Sequence, residues 1–464
     1  VALLNTPQAR LFLALALPIG LAYAVVTPPF ALDDEADQLA SAYALSAAEP
    51  APLDDGEGWY RLVPQDYVRE LARYTSLPAN EQGRIDHAAW WQSLSGAQAS
   101  PTLAPLAAQP DARSLLPAVL HLPALWLGRL FGLPALAQLY LARALALAAY
   151  ALLCAAAVAL AGRLSWLFFV LALTPAALAE GASLSSAGCK AALALLFAAL
   201  FARAAQSDTG PNARERLWLL LAGTALAACS APLLLLGVGL AALAPAGTSR
   251  ARRWAPAFVL VFGAGALILG QWALDPRPLV PAPSLTWQRV IWPLTDMGRA
   301  WRMLRLTLFR RGDEAWMQAV AIGGALAQQL RLMGALIATL HAQLVISLAW
   351  GALHRQLSPE RARGVVRFSL LAGVAGSVGL GFALYLSDPN VPAPVLQRFR
   401  GEPFFAVLPW LAIALSAHGR PFAARWLMRL PGLRVVLPVL LLNAYCLLSL
   451  YGRYHATPLL QFPY

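Results

Sequence analysis

The stretch "ARLFLALALPIGLAYAVVTPPFALDDEADQL", residues 9–39, decides how this chain is read. From Arg10 to Thr27 it is almost wholly apolar and close to the ~20 residues that a helix needs to cross a ~30 Å hydrocarbon core. Asp33, Asp34, Glu35, Asp37 and Gln38 follow almost at once. The chain leaves the membrane and presents a knot of carboxylates. Arg10 ahead of an apolar run also fits a signal peptide, but no clear small-x-small cleavage pattern precedes "TPPF", so the run is read as a retained first span.

Outward from that stretch the pattern repeats. The chain has 464 residues, 59% hydrophobic and 12% charged, with a mean hydropathy of +0.59, whereas soluble domains carry roughly 25% charged residues. Long apolar runs separated by short polar punctuation predict an all-α integral membrane protein and exclude a closed barrel, whose strands would alternate over about ten residues. The formal net charge is +12, and Lys190 is the only lysine among 35 Lys+Arg. In a polytopic chain this balance is orientation signal and headgroup contact, not nucleic-acid binding. Cys154, Cys189, Cys229 and Cys446 all lie in apolar segments, so no disulfide framework is implied.

The distribution of arginine sets the layout. The first span covers 1–27, and residues 28–132 form a long loop outside the membrane, rich in acids and carrying interfacial helices. One of these, "QDYVRELARY", puts Tyr67, Leu71 and Tyr74 on one face, and "SLLPAVLHLPALWLGRLFG" is a proline-punctuated helix lying in the interface. Membrane helices fill 133–273, a second outer loop spans 274–315, and further membrane helices complete 316–464. This gives about eleven membrane helices, with the N-terminus cytoplasmic and the C-terminus periplasmic. The outer loop 274–315 is rich in arginine, against the positive-inside rule. Leu294, Met297, Trp301, Leu304 and Leu308 recur there at helical steps, which predicts an amphipathic helix at the outer interface with Arg305 inside its apolar stripe. Arg299, Arg302 and Arg305 then either bind anionic headgroups or clamp the phosphate of a lipid-linked substrate.

"PPFALDDEADQLASAYALS", residues 28–46, resembles the motif that follows the first span in a bacterial family of polytopic membrane proteins regarded as GT-C-like glycosyltransferases. In that family Pro-Asp-Glu is followed two residues later by His. Asp34 and Glu35 match the acidic pair, while Asp33 replaces the proline and Gln38 the histidine. The helix leading to Arg143, the Leu-x-Pro helix with its Ser-rich turn at Ser185 and Ser186, and the loop around Arg400, Gly401 and Glu402 resemble further family stretches. The acid expected after the serines is absent at Ala187. The resemblance implies a GT-C fold and sugar transfer from a polyprenyl-phosphate donor to an envelope glycan or lipid acceptor, at the outer face of the bacterial inner membrane.

Such a transfer needs a carboxylate to take the acceptor hydroxyl's proton, opposite a cation or divalent ion that meets the departing phosphate. Asp34 is the first candidate for that base and Glu35 the second. Asp34 is also a candidate ligand for a weakly held Mg²⁺ or Mn²⁺, with no tightly bound cofactor implied. Arg143, inside its span, should face either a donor phosphate or Glu180. Lys190 and Glu180 flank one outer turn as a candidate pair. His87 and Trp90 fit stacking on a sugar ring or interface anchoring, and Arg400 fits pyrophosphate or a local salt bridge. His121 reads as a helix-packing residue. A lipid-linked glycan polymerase or ligase centred on the outer arginines, and an inactive membrane scaffold, are the alternatives.

Overall fold

The computed structural model describes residues 6–32, 34–47, 53–54, 59–77, 83–96, 102–107, 115–206, 211–243, 249–274, 359–387, 402–415 and 431–456, together with scattered positions between 295 and 349. Helix α1 (Pro7–Val26) opens on Thr6, whose hydroxyl accepts from Ala9 N–H, with Pro7 at the first helical position where its missing donor costs nothing. Ala9, Phe12, Ala16, Gly20 and Tyr23 recur at three- and four-residue steps and are buried. They pack α1 against α6 (Ala135–Leu160), its largest neighbour. Gly20 permits that approach: a Cβ there would lie 2.4 Å from the Leu147 side chain.

Between these two spans lies a long linking segment. It holds α2 (Glu35–Ser46), β1 (Leu53–Asp54), β2 (Trp59–Pro64), α3 (Gln65–Tyr74), α4 (His87–Ser95), β3 (Leu103–Ala107) and α5 (Leu115–Leu130). The strands form an antiparallel sheet in the order β1-β2-β3, with Tyr60 opposite Ala107 and Leu62 opposite Pro105. This sheet departs from the expectation of helices alone. Its strands are short and proline-marked, and β2 meets β3 only across two intervening helices, so no local period announces it. The predicted face of α3 is present, with Tyr67 and Tyr74 buried and Leu71 half-buried. It packs on protein: the Tyr67 hydroxyl donates to Gln138 Oε1 at 2.8 Å.

After α6 come α7 (Ser165–Ala172) and α8 (Pro175–Gly181), bent by 76° from one another. Residues 164–181 therefore do not form one straight span. Pro175 disfavours helical geometry at Thr174, which is extended at ψ 142° and caps α8. The bend leads into the serine turn 183–186 and α9 (Ser186–Gln206). Helix α10 (Ala213–Cys229) ends at Ser230, and a 3-10 helix follows over Ala231–Leu243. Then follow α11 (Arg250–Leu274), α12 (Pro359–Ser387), α13 (Leu408–Leu415) and α14 (Pro431–Tyr454).

Among the described residues five helices are long and apolar enough to cross a membrane, or six if the bent α7–α8 pair counts as one span. The protein is therefore a helical membrane protein. About eleven membrane helices were expected; α10, the 3-10 helix, and the apolar parts of α11 and α13 fall short of that length test, and most of the stretch 316–358 lies outside the described residues. Among the described residues a large core joins α1, α6–α10, α12 and α14, and a second, smaller one lies beneath the linking segment around Leu39, Val63, Tyr67, Leu125 and Leu136.

Candidate functional site

The carboxylate knot divides into parts with different tasks. Glu35 opens α2 and is fully buried, as is Arg143 of α6. The Arg143 guanidinium forks onto it, Nε to Oε1 and Nη2 to Oε2, both at 2.8 Å. The remaining guanidinium hydrogens go to backbone carbonyls: Nη1 donates to Ala24 and Thr27, and Nη2 to Pro28. All five donors of Arg143 are thus satisfied where α1 ends. Glu35 in turn accepts from Phe30 N–H at 2.9 Å and from Leu184 N–H at 3.2 Å. Four donors saturate its two oxygens. The partner of Arg143 is Glu35, where Glu180 was one of the expected partners, and hydrogen bonds already occupy both Glu35 oxygens. The pair is a pin joining the exit of α1, the start of α2, the middle of α6 and the serine turn.

Asp34, one residue earlier, is held differently. It caps α2 in a left-handed conformation, φ 56° and ψ 1°, without capping the helix by its side chain. A non-glycine residue there stores on the order of 1 kcal/mol of strain, and such positions cluster at functional sites. The strain turns the carboxylate toward the serine turn. Oδ1 accepts from Ser186 N–H at 3.2 Å, and Oδ2 accepts a short bond from the Ser186 hydroxyl. Lys190, one turn along α9, donates to Ser186 Oγ at 2.7 Å. Asp34, Ser186 and Lys190 thus form one linked set at the start of α9. Asp34 is partly exposed, yet the dense protein around its carboxyl raises its pKa, opposed first by the Lys190 charge and then by the serine hydrogen bonds.

Close behind lie other buried polar groups. Gln38 is wholly buried with neither amide atom hydrogen-bonded. Asp37 approaches Arg61 at 3.7 Å, and Arg61 donates to Ser41 at 2.6 Å, tying α2 to β2. His121 of α5 is buried, its Nε2 3.2 Å from the Leu184 carbonyl, and burial lowers its pKa to about 4.

The other expected site residues lie elsewhere. Trp90 donates to the Tyr140 hydroxyl at 2.9 Å, and the Arg143 guanidinium sits 5.5 Å from the centre of the Tyr140 ring, so Trp90 supports the pin from outside. His87 is exposed at the start of α4 and pairs with His455, ring centres 5.2 Å apart. Arg299 follows Asp296, whose carboxylate caps its N–H, and a helical segment runs over 301–307. Arg302 and Arg305 are exposed there, and the buried positions are Met303 and Thr307. Trp301, on the expected apolar stripe, is exposed. Leu294, Met297, Leu308 and Arg400 lie outside the described residues. The charge that acts on Asp34 is that of Lys190.

A family model described as "Predicted membrane protein (DUF2142)" matches residues 17–274. That is more than half of the 464-residue chain. The chain belongs to this family. The match takes in the end of α1, the whole linking segment, the Glu35–Arg143 pin, and the Asp34–Ser186–Lys190 set. Searches of curated proteins and of solved structures found no match.

Sequence reasoning placed Asp34 at the centre and missed Ser186 and Lys190 as its partners, having set Lys190 against Glu180. The usable signal was the juxtaposition of a serine-rich turn and the sole lysine one helical turn later. As for a divalent cation, both Asp34 oxygens already accept hydrogen bonds, the adjacent charge is positive, and Glu35 is saturated. Among the described residues no three of His, Cys, Asp and Glu are grouped to hold a metal. This donor set does not fit Mg²⁺ or Mn²⁺.

Proposed function

We propose that this protein is an integral-membrane glycosyltransferase of GT-C type. It would transfer a sugar from a polyprenyl-phosphate donor to an envelope glycan or lipid-linked acceptor at the outer face of the inner membrane. The observation that carries the reading is the strained Asp34 carboxylate, set beside Lys190 at the point where the chain leaves its first span. A donor of this class keeps its tail in lipid, so its reactive carbon lies at that depth.

In the proposed reaction the acceptor hydroxyl forms a bond to the sugar's anomeric carbon as the bond from that carbon to the phosphate oxygen breaks. Asp34 takes the hydroxyl's proton. The phosphate leaves with the bonding electrons, and the Lys190 ammonium lies on the side where negative charge grows. Ser186 holds both groups at fixed separation. Glu35 and Arg143 touch no reactant in this scheme and act by fixing the backbone on either side of Asp34.

The test is Asp34→Asn in the host that encodes the protein, with envelope glycans compared by mass spectrometry against a deletion strain. Loss of a general base lowers turnover by roughly 10²–10⁴-fold. The variant is expected to reproduce the deletion's glycan change while accumulating normally in the membrane. A wild-type glycan in Asp34→Asn, with a changed glycan on deletion, would refute the reading and favour a scaffold.

A further inference from the structure

Two of the spanning helices end at one place. Helix α1 has 20 residues and is therefore about 30 Å long, the thickness of a bilayer's hydrocarbon core. The apolar span of α14, Arg434–Tyr454, has 21 residues and matches it. His455, just beyond that span, sets its Nε2 3.0 Å from the Val26 carbonyl at the end of α1. Both helices thus leave the hydrocarbon together, and the groups around His455 stand at the depth of lipid phosphates. On α14 the exposed residues Leu437, Leu441, Leu448 and Tyr451 share one face. On a spanning helix such a stripe faces lipid. It ends in Tyr451, whose ring stacks on His455 with centres 5.6 Å apart and planes 5° from parallel. His87 comes next, its ring centre 5.2 Å from that of His455. Trp91, one turn along α4 from His87, is 62% exposed.

The charges at this place are unbalanced. Residues 20–27, 83–87 and 449–456 meet here through the His455–Val26 contact and through bonds from Arg84 and Ile85 to the end of α14. Together they carry Arg84, His87, Arg453 and His455, and Asp86 is their only acid. Asp86 Oδ1 is engaged in capping α4, accepting from the Ala88 and Ala89 N–H groups. Arg453 is buried and donates to the Gly83 carbonyl. Arg84 uses Nη1 alone, which donates to the Gly452 and Arg453 carbonyls at 3.0 and 2.8 Å. Its Nε and Nη2 meet no acceptor among the described residues, and neither ring nitrogen of the exposed His87 is hydrogen-bonded there. The Val26 carbonyl only accepts, so His455 carries its proton on Nε2 and keeps a bare lone pair on Nδ1.

We propose that Arg84 and His87 form a binding site for the phosphate of an anionic phospholipid, with Tyr451 and Trp91 beside its acyl chains and His455 joining as a third donor when protonated. The Arg84 Nε and Nη2 hydrogens form a fork that suits two phosphate oxygens, and His87 adds one N–H. The apolar stripe of α14 runs straight into these donors, which favours a phosphate that carries acyl chains over a soluble one. Tyrosine and tryptophan are the side chains suited to that boundary. The charged groups on the elements packed around His455 are His87, Arg84, Asp86 and Arg453, while α1 presents the Val26 carbonyl. Burial lowers the His455 pKa, its bond to that carbonyl opposes this, and His87 lowers it further. An anion held beside both rings offsets their mutual repulsion, so lipid binding and protonation of His455 favour one another.

The test uses the full chain in bilayer nanodiscs of phosphatidylcholine mixed with phosphatidylglycerol, with the lipids retained on release counted by native mass spectrometry. The wild type should retain phosphatidylglycerol over phosphatidylcholine, and the Arg84→Gln/His87→Gln double variant should hold it about ten-fold less well, the scale of one lost charge-assisted bond. Arg69→Gln removes an exposed arginine of α3 that is paired with Asp66, and should change nothing. No loss in the double variant, or an equal loss in Arg69→Gln, overturns the site. In a second arm, ¹⁵N-histidine NMR follows the titration of His455, assigned among the six histidines as the signal lost in His455→Gln. Phosphatidylglycerol should raise the His455 pKa more in the wild type than in the double variant, where only the general surface potential acts. Equal shifts in the two overturn the proposal. Inorganic phosphate that reproduces the shift in phosphatidylcholine alone overturns the lipid assignment, as does displacement of phosphatidylglycerol by an equimolar polyprenyl phosphate. If the double variant fails to accumulate because Arg84 ties 83–87 to α14, His87→Glu sets a carboxylate at an exposed position and should abolish the preference. An unchanged preference in His87→Glu overturns the proposal.

Discussion

Glu35→Gln is the sharpest test of how the segment linking α1 to α6 is held. The substitution keeps size and shape but leaves the Arg143 guanidinium buried with no counter-charge. In the native chain that guanidinium makes five hydrogen bonds of 2.7–2.9 Å, two of them to Glu35. Removing one partner of a buried pair costs about 3–5 kcal/mol, because the survivor's desolvation is no longer offset. Glu35 also gathers the Phe30 and Leu184 amides, so the variant loses acceptor strength at the serine turn as well. Arg143→Met should cost a similar amount by stranding Glu35. The double variant should be less damaging than the sum of the singles, since no lone charge remains, and the difference measures the pair's coupling. Thermal unfolding of detergent-purified protein, with membrane levels as a second readout, gives all four corners of the cycle. Single variants as stable as wild type, or costs that simply add, would refute the assignment of the pair as a structural pin.

Three further outcomes follow from the same geometry. Lys190→Met removes the charge that holds the Asp34 pKa down, so the acid limb of the Asp34-dependent activity should move to higher pH, read from the pH profile of glycan formation in vesicles. Gly188→Ala would place a Cβ 2.4 Å from the Glu180 carbonyl oxygen, a backbone atom that cannot move aside, and should cut membrane levels severely. Burial lowers the His455 pKa, opposed by its hydrogen bond to the Val26 carbonyl, and the nearby His87 lowers it further. A folded-state pKa below the unfolded value means that the unfolded chain binds the proton first. The stability gained by burying neutral His455 is therefore present at neutral pH and lost as pH falls below about 6.5, while its 3.0 Å bond to the Val26 carbonyl survives protonation. Amide hydrogen exchange in residues 83–87, which are stitched to the end of α14 by Arg84 and Ile85, should accelerate in acid, and His455→Gln should flatten that dependence.

By itself the sequence determined that this is a helical membrane protein, because burial in lipid demands long apolar helices and the composition supplies little else. It fixed α1, α6, α9, α12 and α14, whose lengths and apolarity follow from crossing the bilayer. It also placed Asp34 at the membrane exit, since a carboxylate directly after a span can lie nowhere else. Tertiary structure alone decided what each charge does. Adjacent Asp34 and Glu35 look equivalent in the chain, yet a left-handed residue at Asp34 turns one carboxylate to Ser186 while the helix start aims the other at Arg143. These partners lie 152 and 108 positions away. Periodicity carries no information over such distances, because the pairing is set by how α2, α6 and the serine turn converge. The small sheet belongs to the same class: it arises where segments distant in sequence meet and leaves no local pattern.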